Sequence, residues 1–96
     1  MKIESYQTIQ KEEIPKLEFH NKEVLSELHL IMRRKQLLTQ GMVLGNTYHT
    51  KVQIIFEAIS GILQVETTIW ATTEEYVLLK GGVYLPIKCI HDVVIM

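Results

Sequence analysis

Residues Ile62 to Ile90 read ILQVETTIWATTEEYVLLKGGVYLPIKCI. Thr, Val, Ile, Trp and Tyr crowd this stretch, and these residue types suit a pleated, half-buried surface. Ser60-Gly61 just before it is a turn signal, and Gly81-Gly82 within it marks a tight hairpin. The spacing predicts a long strand from Ile62 to about Thr73. Leu63, Val65, Thr67, Ile69 and Ala71 lie on one face, Gln64, Glu66, Thr68, Trp70 and Thr72 on the other. Thr73-Glu74-Glu75 turns the chain, Tyr76 to Lys80 makes the next strand, and Val83 to Leu85 its hairpin partner. Pro86 has no ladder donor and ends that strand. Ile87 to Ile90 reads as one short helical turn, and His91 to Ile95 as the last strand.

Working outward, Lys51 to Ala58 alternates cleanly, with Val52, Ile54, Phe56 and Ala58 on one face. Residues 21–38, NKEVLSELHLIMRRKQLL, carry the helical signal. Asn21 stands at an N-cap, Glu23 in the first turn, and Val24, Leu28 and Ile31 fall at helical spacing. Gly41 weakens the helix, and Gly45-Asn46 is a stop of the left-handed type. Residues 1–20 read as an arm, loose over Met1–Gln10 and pinned by Ile14, Leu17 and Phe19. The expected fold is therefore α+β and mainly β. An N-terminal helix precedes a five-stranded, strongly bent antiparallel sheet that closes as a small barrel. A chain of 96 residues fits a single domain, with an arm over 1–20, a helix over 21–45 and a small β-barrel over 50–95.

Composition limits the partners. Net charge is -1, so no overall field draws the chain to nucleic acid or anionic lipid. Residues 1–45 hold seven basic and six acidic side chains, and residues 46–96 three basic and five acidic. The strand half is thus mildly acidic. A single cysteine, Cys89, excludes an internal disulfide. No stretch reaches the length of a membrane span, and the first residues lack the apolar core of a signal peptide. The expectation is a cytoplasmic protein with no membrane association and no cofactor.

The segment VETTIWATTEEYVLLKGGVYLPIKCIHDV resembles part of uncharacterised small bacterial proteins of about this length, over residues 45–95. The resemblance implies a shared fold and a cytoplasmic location, and no activity. More coarsely, helix-then-strands is similar to SH3-like and Sm-like small barrels. Sm-like proteins bind RNA through an Asp-x-Asn type loop and an Arg-Gly type loop. Thr72-Thr73-Glu74-Glu75 and Lys80-Gly81-Gly82 occupy the comparable turns here without those motifs. The RNA-binding residues do not carry over.

Candidate chemistry is sparse. Cys89 and His91 are two apart, with His49 distant, which is too few ligands for a metal site. As a nucleophile pair they lack an orienting group, and Cys89 reads more simply as a small buried side chain. Glu74-Glu75 and Glu12-Glu13 are adjacent acids in turns, ordinarily just solvated. Gly81-Gly82 lacks the context of a phosphate loop. Arg33-Arg34-Lys35 is the one basic cluster, able to touch phosphates or simply to form a wet helix face. Trp70 falls on the polar strand face; a bulge that turns it under the helix is one reading, an interface the other. Leu30 and Leu37 lie off the apolar side of the helix and suggest a second covered surface.

These readings assign no catalytic residue and no metal. They point to a non-catalytic binding or assembly module that forms a homodimer through Leu30, Leu37 and Trp70, with a further protein partner open. Weak RNA or single-stranded nucleic-acid binding through Arg33, Arg34, Lys35 and the strand aromatics is the alternative. A small enzyme using Cys89, His91 or Glu74 is the third reading.

Overall fold

The computed structural model describes residues 6–96, so part of the expected loose arm falls outside it. Among the described residues, one α-helix and seven strands form in the order β1 (Gln7–Ile9), a 3-10 helix (Lys11–Lys16), α1 (Leu28–Tyr48), β2 (Val52–Ala58), β3 (Gly61–Thr67), β4 (Ile69–Thr72), β5 (Tyr76–Leu79), β6 (Val83–Pro86), a 3-10 turn (Ile87–Cys89) and β7 (Ile90–Ile95). The strands make two sheets, ordered β1-β3-β2-β7 and β4-β5-β6. All neighbours are antiparallel except β1 and β3, which run parallel from Gln7 opposite Leu63 to Ile9 opposite Val65.

This overturns the expected five-stranded barrel. The predicted long strand over Ile62 to Thr73 breaks at Thr68, whose carbonyl accepts the Lys80 N–H from the second sheet. A barrel needs β3 free on one side to carry the ladder onward. Here β2 takes one side of β3, and β1, from the segment expected to be a loose arm, takes the other. The chain leaves for a second sheet, and both sheets stay open. Between them lies one core. Val52, Ile54, Phe56 and Ala58 of β2 point into it as their alternation predicts, with Val65, Ile69, Val77, Leu79, Leu85 and Ile90. Ile9 and Ile14 are buried in the same core, and Leu17 and Phe19 pack against it, Phe19 with its ring 6.2 Å from that of Phe56.

Helix α1 begins seven residues later than Asn21 predicts. The competing interactions are tertiary. The Val24 N–H donates to the Lys88 carbonyl, and the Glu23 carboxylate is drawn to Arg34, so residues 21–27 cannot also close a first turn. The shift also changes the covered face. Arg34, Leu38, Gly41 and Gly45 face inward, while Leu28 and Met32 face solvent. Gly41 does not weaken the helix; it is a contact point. A Cβ there would sit 3.2 Å from both the Ile69 Cδ1 and the Val52 Cγ1. At Gly45 the clearance is smaller still, because a Cβ would lie 2.7 Å from the Ile69 carbonyl oxygen. The two glycines set the C-terminal half of α1 directly on the Thr68–Ile69 crossing. The helix runs past Gly45 and stops at His49, which takes the left-handed conformation (φ 59°) and donates its N–H to the Gly45 carbonyl.

Candidate functional site

The three-stranded sheet is built from the Gly81-Gly82 hairpin, where both glycines take positive φ (90° and 85°) that side chains rarely adopt. Its register pairs Tyr76 with Pro86, Val77 with Leu85, Leu78 with Tyr84 and Leu79 with Val83. Across the other seam, Ile69 faces Leu79 and Ala71 faces Leu78, with a bulge between them at Trp70. Ile69, Val77, Leu79, Val83 and Leu85 fill the core. The outer face is therefore Ala71, Leu78 and Tyr84 in one row, Tyr76 and Pro86 in the next, and Trp70 at the bulge. None of these six side chains is charged.

Antiparallel sheets that meet water usually alternate apolar-in and polar-out. The first sheet does so: Gln53, Glu57, Gln64 and Glu66 lie on its outer side, and the Gln64 Nε2 donates to the Thr8 Oγ1 at 2.8 Å. The second sheet departs from that rule on its whole outer face. Trp70 is 45% exposed, Tyr76 43% and Tyr84 60%, and the Tyr76 and Tyr84 rings meet edge-to-face at 6.0 Å. Taking about 200 Å² for a whole aromatic side chain, the three rings offer on the order of 300 Å² to solvent. That equals the largest apolar patch of a typical monomer, which is often functional.

Trp70 is thus on the surface and not under the helix. The bulge turns it outward, and the Asn46 Nδ2 donates to its carbonyl at 3.3 Å. The basic triplet does not act together. Arg34 is 4% exposed; its Nη1 and Nη2 donate to the Glu23 carboxylate at 2.6 Å each, and Nη1 also to the Ile90 carbonyl at 3.0 Å. Its Nε–H is buried without an acceptor, a deficit of about 1–3 kcal/mol. Arg33 pairs with Asp92 at 2.8 Å, and Lys35 is exposed. Leu37 packs against the core and Leu30 is half-buried, so neither offers much free surface.

Burial would raise the Glu23 pKa, but the Arg34 hydrogen bonds and charge, with the Leu25 and Val24 N–H groups, outweigh it and hold the carboxyl below its usual range. Cys89 is buried, its Sγ 3.0 Å from the Pro86 carbonyl, and burial pushes its thiol up to about 12. Such a thiol supplies no thiolate near neutrality. His91 pairs instead with Glu57, Nε2 to Oε1 at 2.7 Å. Glu74 stands exposed on the β4–β5 turn. The residues of the enzyme reading are therefore not brought together. Among the described residues no group of three or more potential ligands could hold a metal ion, and no helix is long and apolar enough to cross a membrane.

Sequence reasoning singled out Trp70 but missed Tyr76, Leu78, Tyr84 and Pro86. The signal was present, because YVLL and VYLP have no charged residue at either parity. Comparison with known proteins returns no matching family model, no similar curated protein and no similar solved structure.

Proposed function

We propose that this chain is a non-catalytic assembly module that docks through the outer face of β4-β5-β6, with a second copy of itself as the occupant. One observation carries the reading: the sheet is apolar on both faces, and only one face is covered by the chain's own core. A face without charges cannot grip phosphates, and the cations that a nucleic-acid reading needs are spent at Arg33 and Arg34. A net charge of -1 sets little repulsion between two copies. The exposed rings fall short of the roughly 800 Å² per partner of a standard interface, so the dimer is a weak one with a dissociation constant on the order of micromolar.

Light scattering coupled to gel filtration over a concentration series tests this. The unmodified chain moves from monomer to dimer with rising concentration. Tyr84→Lys, an exposed change, keeps the fold and holds the chain as a monomer, while Leu28→Lys on the outer side of α1 leaves the dimer intact. A chain that stays monomeric at high micromolar concentration, or a Tyr84→Lys variant that dimerises as before, sinks the reading.

A further inference from the structure

Between the N-terminal half of α1 and the β4–β5 turn lies a cleft of about 490 Å³, on the inner side of the second sheet and separate from the docking face. It exists because the helix is seated tightly on Ile69 by Gly41 and Gly45 at one end and opens away toward Ile31 at the other. The volume falls within the range of small-molecule sites. Ile31, Leu38 and Ile87 supply an apolar lining. Lys35 and Glu74 line the same cleft, and neither has an ion-pair partner among the described residues. Arg34 lines it too, with its charge balanced by Glu23 and its Nε–H buried and without an acceptor.

We infer that the cleft binds a free apolar α-amino acid of leucine or phenylalanine type. Two opposite, unpaired charges on one cleft complement a zwitterion and give no net field to a simple anion or cation. The ligand carboxylate goes to Lys35 and supplies the acceptor that Arg34 Nε–H lacks. Its ammonium goes to Glu74, and its side chain covers Leu38 and Ile87. An unpartnered buried donor in a folded chain calls for a water, an ion or a ligand, and only a ligand accounts for the two free charges as well.

Isothermal titration calorimetry with the full chain separates the possibilities. The probes are leucine and phenylalanine, the amines that lack their carboxylate, and the acids that lack their ammonium. The zwitterions bind saturably at millimolar concentration or below, and each one-charge analogue binds about tenfold more weakly or worse. Lys35→Met and Glu74→Gln, both at exposed positions, each weaken the zwitterion by about tenfold with unchanged melting temperature. Equal binding of the amines or the acids overturns the proposal. So does unchanged binding by both variants, or no saturable heat from any probe, which leaves the cleft a water site.

Discussion

At the residue scale, two glycines and one ion pair decide how α1 is seated. Gly45 approaches a backbone carbonyl that cannot turn aside, whereas Gly41 approaches two side-chain tips that can. Gly45→Ala therefore destabilises by about 3 kcal/mol, near the upper end for overpacking, while Gly41→Ala costs about 1 kcal/mol after the helix-propensity gain of alanine is counted. Urea unfolding of the two variants checks the order; equal losses would show that the backbone at Ile69 yields. The Glu23–Arg34 pair sets a pH dependence. Because the folded Glu23 pKa is depressed, the native chain binds fewer protons than the unfolded chain in acid. Its contribution is complete above the ordinary carboxylate range and is lost as pH falls through the lowered value. Glu23→Gln costs about 2 kcal/mol at neutral pH, the lower part of the range for breaking a charged pair because the Glu23 side chain is 30% exposed. Denaturant titrations at several pH values follow it: the gap between variant and parent narrows in acid, and a gap constant with pH contradicts the assignment.

At the scale of elements, what the sequence disclosed depended on how local the controlling interactions are. The Gly81-Gly82 hairpin, the alternation of β2 and the short turn before β7 rest on neighbours in the chain, and all were legible. The start of α1 was not, since a good cap at Asn21 loses to Glu23 and Val24 serving distant partners. Nor was the use of Gly41 and Gly45, because a low-propensity residue reads as a break until something packs on it. Splitting the strand at Thr68 reversed the prediction for Trp70. Alternation had set Trp70 on the face of Gln64 and Glu66, yet the inserted residue at the bulge gives β4 its own register. The apolar outer face then follows from β5 and β6, whose residues were in plain view but were assigned to a closed barrel.

At the scale of the whole molecule, the candidate site is a property of the two-sheet arrangement. A closed barrel would have wrapped the same strands differently, and no single motif marks the outer face. That is why sequence reasoning reached a binding module without its surface. The parallel pairing of β1 with β3 also has a consequence in time. Its partners stand 56 residues apart, Gln7 against Leu63, whereas β2–β3 and β5–β6 join across two or three residues. Closing the longest loop of the chain on its shortest strand is entropically expensive and yields few ladder bonds. The hairpins form first, and the N-terminal strand is the last piece to arrive and the first to leave. Native-state hydrogen exchange in low urea registers this as early loss of protection along β1 and on the β3 amides that face it, while Val77 and Leu85 exchange only with global unfolding. Uniform protection across both sheets would mean that the molecule closes in one step, with β1 already in place.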